Sequence, residues 1–216
     1  MIGKFLCKLY DLDDYSLPDY EIVNLNDSSQ FRYTIWNKNK RMLYSLPHFC
    51  QKEALDLFYI SLMVFYADRI VSRKNQNDSW ARHIFISMPV LMKDKWDSNK
   101  TLLEKALNFL TGDTWSFDFR KRVGYTEREK LIKRGRIRFR NSIKKIDTDK
   151  FCMLSGGLDS FIGAINLLTD GSKPIFVGNY NGGKGVSVYQ NKVINLLSNN
   201  FHYSKDMFYQ FYAAPL

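Results

Sequence analysis

Phe151-Cys152-Met153-Leu154-Ser155-Gly156-Gly157-Leu158-Asp159-Ser160 decides how the rest of this chain is read. Its first four residues form a short unbroken apolar run, the pattern of a strand buried on both faces. Two adjacent glycines then let the backbone turn sharply and approach an anion closely. Phe161 to Leu168 has helical character, so loop amides and a helix N-terminus converge on one spot. Ser155 and Ser160 add hydroxyl donors, and Asp159 can hold a magnesium ion against phosphate oxygens. A Ser/Gly turn capped by Asp159 or Ser160 is the bland alternative. The strand–loop–helix context favours a pyrophosphate site built from Ser155, Gly156, Gly157, Leu158, Asp159 and Ser160.

Beyond the loop the pattern continues as strand, helix, strand. Gly171 and Pro174 separate the first helix from a second apolar strand over 174–180. A helix follows over 186–197 and a third strand over 207–212. Alternation of this kind calls for a parallel sheet with helical crossovers. In a doubly wound sheet the nucleotide sits where the strand order reverses, between the first strand and a fourth. Residues 151–216 have room for only three strands, so residues 149–216 read as the first half of a Rossmann-like domain. The expectation is the front part of a longer protein or one half of a split pair, with 151–154 as an exposed sheet edge unless something covers it.

Residues 1–148 have a different texture and read as an N-terminal α+β domain. Strands are expected over 2–10, 31–37, 83–90 and 115–119, with a turn-rich stretch over 24–29. Helices are expected over 49–73, apolar on most faces, and over 99–110, closed by Gly112. The most apolar stretch, 54–67, is about one buried helix long, contains Asp56 and stops at Asp68-Arg69, which argues against a membrane span. Lys4, Lys8, Asp11, Asp13 and Asp14 interrupt any leader-like run. Cys7, Cys50 and Cys152 are odd in number and widely spaced, which fits a reducing cytoplasm better than a disulfide framework or zinc site. His48, His83 and His202 have no metal-ligand spacing. Arg69 and Arg82 sit beside apolar sequence and call for a carboxylate partner, for which Asp68 is the candidate.

The net charge of +10 is concentrated. Residues 120–145 carry twelve Lys or Arg against Glu127 and Glu129, which equals the whole excess of the chain. Arg134, Arg136, Arg138 and Arg140 alternate with other residues and would line one face of a strand. Such a row could neutralise nucleic-acid phosphates, or it could be a solvated face or a linker meeting an acidic partner protein. No recognisable RNA- or DNA-binding motif surrounds it.

Ser-Gly-Gly-x-Asp-Ser after a strand is the signature of the PP-loop ATP pyrophosphatases, and residues 155–160 resemble it. That resemblance implies the adenine nucleotide alpha hydrolase-like fold, with ATP and magnesium as cofactors and cleavage of ATP to AMP and pyrophosphate. Phe176-Val177-Gly178-Asn179-Tyr180-Asn181 is similar to the strand of 7-cyano-7-deazaguanine synthases (QueC) that ends in Asn-Tyr-Asn or Asp-Tyr-Gly. It implies a role for Tyr180 and Asn181 at the nucleotide or acceptor. The long N-terminal region, with Ala67-Asp68-Arg69 and Trp80-Ala81-Arg82-His83 before Ile-Phe-Ile-Ser-Met-Pro, resembles the QueC-like component (QatC) of the Qat anti-phage defence system. Partner proteins of a defence operon and a deazaguanine-type substrate follow from that resemblance. The chain departs from the synthases where Gln-Arg-His would follow Asn181 and Gly182-Gly183-Lys184 stands instead, and it lacks their C-terminal zinc-binding cysteine cluster. ATP-dependent activation of a carboxylate is therefore the expectation, in preference to 7-cyano-7-deazaguanine synthesis itself.

A rival motif is Gly178-Asn179-Tyr180-Asn181-Gly182-Gly183-Lys184, most of a Walker A loop. Gly185 stands where a Ser or Thr would ligate magnesium, and Gly178 would have to open the loop from inside an apolar strand. The glycines read better as a strand-to-helix turn lining ribose or acceptor. Two further classes stay open: a non-catalytic nucleotide-holding assembly subunit, and a tRNA-modifying PP-loop enzyme.

Overall fold

The computed structural model describes residues 2–10, 13–37, 40–41, 51–75, 80–122, 148, 150–180 and 184–216. The chain is α/β and divides into two compact units. The first holds residues 1–32, 47–134 and 214–216, and the second holds 33–46 and 135–213. The described residues contain nine strands: β1 (Ile2–Lys8), β2 (Glu21–Asn24), β3 (Phe31–Asn37), β4 (Lys40–Arg41), β5 (His83–Val90), β6 (Thr114–Lys121), β7 (Phe151–Met153), β8 (Ile175–Asn179) and β9 (Phe208–Pro215). Four α-helices accompany them: α1 (Lys52–Ile70), α2 (Lys93–Thr111), α3 (Leu158–Thr169) and α4 (Lys184–Phe201).

The first unit is built on a four-stranded sheet in the order β2-β1-β5-β6. Every pairing in it is parallel. Where the sequence reading expected an α+β texture, this region is thus parallel α/β. The signal was obscured because β1 and β2 are joined by a polar connection, residues 9–20, instead of a helix. Ile84, Ile86, Met88, Trp115, Phe117 and Phe119 are buried along one face. The helices pack there: Trp96 of α2 lies 5.9 Å from Phe119, and Tyr66 of α1 meets Phe5 edge-on at 6.0 Å. The alternate residues point the other way, where the 9–20 connection lies. Tyr20 meets the Phe85 ring at 5.7 Å, and Arg120 sits 4.4 Å over Tyr15 while pairing with Asp13 at 3.2 Å.

Arg82 is a buried cation of this unit, 3% exposed. It pairs with Asp68 at 2.6 Å, as its surroundings required, and also with Asp113 at 2.5 Å. Arg69 instead lies over the Phe65 ring at 5.2 Å. Gly112 ends α2 in the left-handed region, with φ of 72°, and its N–H donates to Asn108 O at 2.8 Å. α2 begins six residues before the expected Asn99, because its first turns are polar and solvent-facing and carry no apolar period.

The second unit has a mixed five-stranded sheet, β4-β3-β9-β8-β7, in which β3 and β4 form an antiparallel pair and β7, β8 and β9 are parallel. Cys152, Leu154, Phe176 and Phe208 face α3 and α4 in one core with Ala164, Val193, Ile194, Leu197 and Tyr203. The other face of this sheet is partly open. Phe151 is 73% and Met153 65% exposed, so the expectation of a strand buried on both faces is corrected. The reason is topological: β7 is the sheet's edge, and both helices lie on the Cys152 face. The stretch around the expected boundary at 148 is almost wholly outside the described residues, apart from Thr148 and Lys150. The strand expected over 31–37, read with residues 1–148, pairs within this second sheet.

Candidate functional site

The loop after β7 runs Leu154–Gly157 and opens directly into α3. Leu154 N–H donates to Val177 O at 2.8 Å, which extends the β7–β8 pairing to the loop's first residue. Gly156 then takes φ of 89°, a conformation that a side chain disfavours. It is also tightly approached: a Cβ placed there would lie 3.1 Å from Gln190 N and 3.4 Å from Tyr189 Cβ. Gly157 is the N-cap of α3, and no side chain caps that helix.

The two serines hold the loop closed on itself. Ser155 Oγ accepts from Gly157 N–H at 3.3 Å and donates to Ser160 Oγ at 3.1 Å, and Ser160 Oγ donates to Gly157 O at 2.9 Å. Ser155, Gly157, Leu158 and Asp159 are exposed and Ser160 half-buried. Asp159 stands in the first turn of α3, on the same open end. The expected strand–loop–helix conformation is therefore present, with its amides and the Asp159 carboxylate at the carboxyl end of β7.

The parallel register sets Asn179 and Tyr180 at that same end. Met153 pairs with Val177, which pairs with Tyr209. Tyr180 N–H donates to Phe211 O at 2.8 Å, and its ring lies 6.2 Å from that of Tyr212. Asn181, the other residue nominated beside the loop, is outside the described residues, as are Gly182 and Gly183. Gly178, which a Walker A loop would need at its start, lies inside β8 and is buried.

Gln190 of α4 is the residue that sequence reasoning missed. It is fully buried, donates from Nε2 to Asn179 O at 3.0 Å and accepts at Oε1 from Gln210 Nε2 at 3.1 Å. It thereby ties β8 and β9 together behind the loop, between Gly156 and Gly178. The available signal was a polar residue on the stripe that continues as Val193, Ile194 and Leu197, where an apolar one is the rule.

The first unit has a comparable strand-to-helix junction after β5, but its own carboxylate fills it. Asp56 of α1 accepts from Leu91 N–H at 2.8 Å, Met92 N–H at 2.9 Å and Trp96 Nε1–H at 3.1 Å. Burial pushes this carboxyl up, against the lowering effect of those donors and of the Arg122 charge.

The basic segment is only partly visible. Arg120 is engaged by Asp13 and by Cys7 O at 2.7 Å, and Arg122 is buried over the Tyr59 ring at 5.6 Å. Both serve the fold. Lys121 is exposed, and the expected arginine row at 134–140 lies outside the described residues. Among the described residues no group of three or more His, Cys, Asp or Glu could hold a metal ion, and no helix is long and apolar enough to cross a membrane. No protein-family model, curated protein or solved structure matches this chain.

Proposed function

We propose that the second unit binds magnesium-ATP at Ser155–Ser160 and activates a carboxylate by adenylation. The observation that carries this reading is the contrast between the two strand-to-helix junctions. The turn into α2 has its amides taken by Asp56, whereas α3 begins at Gly157 with no side-chain cap, behind a left-handed Gly156. Uncapped N-terminal amides and the positive end of the helix dipole favour phosphate oxygens.

In this reading the β- and γ-phosphates lie on the loop, and Ser155 and Ser160 turn their hydroxyls from each other toward phosphate oxygens. Asp159 alone fits magnesium, which needs one or two carboxylates when phosphates supply the remaining ligands. Held by Asp159, magnesium would neutralise phosphate charge. A substrate carboxylate oxygen attacks the α-phosphorus, the bond to the bridging oxygen breaks, and pyrophosphate leaves. An amine then displaces AMP. The protein's part is positioning and charge neutralisation, with Tyr180 and Asn181 beside the ribose or acceptor. The resemblances point to a 7-deazaguanine-type carboxylate and to an anti-phage defence context.

A nucleotide-holding assembly subunit is the second reading, favoured by the exposed Phe151 and Met153 beside the loop, which offer apolar surface to a partner protein. Labelled ATP separates the two. The enzyme releases labelled pyrophosphate and AMP, and Asp159→Asn abolishes release while circular dichroism stays unchanged. Retained ATP with no AMP formed supports the assembly subunit. Undiminished release by Asp159→Asn overturns the proposed site.

A further inference from the structure

We propose that α2 pairs with α2 of a second copy of this chain, antiparallel about a twofold axis at Ala106. Leu102, Ala106, Phe109 and Leu110 recur at i, i+4, i+7 and i+8, so they form one stripe along the helix. The stripe faces outward: Leu102 is 68%, Phe109 89% and Leu110 74% exposed, and Ala106 is exposed as well. The inward face is a different set, with Trp96, Leu103 and Leu107 half-buried toward β6. At the end of the stripe stands Trp80, 71% exposed. Arg73 fixes it there by donating to Trp80 O at 2.9 Å and to Thr111 O at 2.8 Å.

A scattered exposed leucine needs no explanation, but a contiguous apolar stripe on a charged protein marks a contact surface. Its pattern specifies the occupant. Leu102 and Leu110 are equidistant from Ala106, so antiparallel pairing about that residue sets each Leu102 against the other copy's Leu110. Ala106 then meets its own copy, and its small side chain lets the helices approach to roughly 8 Å. Large aromatic side chains offer about 150–250 Å² each. Phe109 and Trp80 are the aromatics of this surface, and with the smaller Leu102, Ala106 and Leu110 complete burial on both copies comes to on the order of 1,000 Å² in total, the threshold of a specific interface.

Charge agrees with self-pairing. From Ser98 to Thr111 the charged residues are Lys100, Glu104 and Lys105. Lys100 is half-buried, and Glu104 accepts from Phe117 N–H at 2.8 Å. Among the described residues Lys105 is the exposed charge along the stripe and the part-exposed Arg73 stands at its Trp80 end, away from the axis, so little repulsion develops between copies.

The test is the oligomeric state of the 216-residue chain and the register of the contact. Sedimentation is expected to show a concentration-dependent dimer, and Phe109→Asp to weaken it by at least about tenfold. Because Phe109 is so exposed, its melting temperature as a monomer should not fall. Under mild oxidation Ala106→Cys should cross-link to itself. Leu102→Cys should cross-link to Leu110→Cys more than to itself, with the unmodified chain as baseline for its native cysteines. A monomer up to on the order of 100 μM, a dimer indifferent to Phe109→Asp, or self-linking by Leu102→Cys above its linking to Leu110→Cys each overturns the proposal.

Discussion

Gln190 occupies the space that a side chain on Gly178 would need. A Cβ on Gly178 would lie 2.9 Å from Gln190 Oε1 and 3.0 Å from both Cδ and Nε2. Gln190 cannot swing aside without giving up Asn179 and Gln210. Gly178→Ala is therefore expected to cost about 1–3 kcal/mol as overpacking. Gln190→Ala removes the obstacle, so the double variant should be more stable than the two single losses predict. A coupling of at least about 0.5 kcal/mol by urea denaturation checks this.

Gly156→Ala combines two penalties. The left-handed backbone costs about 1–2 kcal/mol for any residue with a Cβ, and that Cβ would press on Gln190 N at 3.1 Å. Backbone amides cannot move as a flexible side-chain end can. The variant should lose both stability and, on the proposed function, ATP binding, which calorimetry can follow separately from the melt. Gly163→Ala is the control: nothing lies within 4 Å of its Cβ position, so it should be neutral or stabilising.

Asp113 and Asp56 predict opposite pH slopes. Burial alone would raise the Asp113 carboxyl, but the hydrogen bonds and charge of Arg82, with Arg73, hold it below its ordinary value. Its stabilising effect is thus complete above the unfolded value of about 3.9 and is lost as pH falls through the lower folded one. Asp113→Asn should cost about 3–5 kcal/mol near neutrality, a gap that narrows on acidification. Asp56 is raised by burial, so the folded state holds its proton longer. Stability from that group is present below the unfolded value and is lost as pH rises through the folded one. The wild type should therefore lose ground to Asp56→Asn as pH climbs. Urea midpoints from pH 3 to 7 read both slopes.

Arg120 and Arg122 belong to the fold and should be silent in any binding to nucleic acid. Arg120→Ala strands Asp13, which is 6% exposed, and frees Cys7 O. A loss of roughly 2–4 kcal/mol is expected. If the chain binds RNA, the dependence of affinity on salt should not change in this variant, whereas each true phosphate contact removed lowers the slope by about 0.7–0.9.

Most of the second unit was legible because its elements obey one period at a time. Pro174 to Tyr180 is a short apolar run between turn signals, and 186–197 carries a single apolar stripe. The Gly-Gly turn and its helix were legible for a stronger reason, since few other conformations suit adjacent glycines between such elements. β2 was not, because Glu21-Ile22-Val23-Asn24 is four residues at a sheet edge with only Val23 buried. The parallel order of the first unit was hidden by a crossover without a helix. Gln190 escaped because its role depends on what two distant glycines lack. β7 was legible as an exposed sheet edge from the number of strands that follow it, whereas its unbroken apolar run hid that one of its faces is also open.

The open face of the second sheet bears on how this protein will behave under a dye. Phe151 and Met153 stand exposed beside half-buried Val177, Tyr209 and Phe211. Environment-sensitive probes such as ANS report accessible apolar surface, whatever its origin. The native protein should therefore fluoresce with ANS before any heating, and a dye-monitored melt should start from a high baseline and rise little. Phe151→Lys with Met153→Lys should darken that baseline without moving the transition seen by circular dichroism. On this expectation, bright ANS emission from this chain would report its folded state and not a molten one.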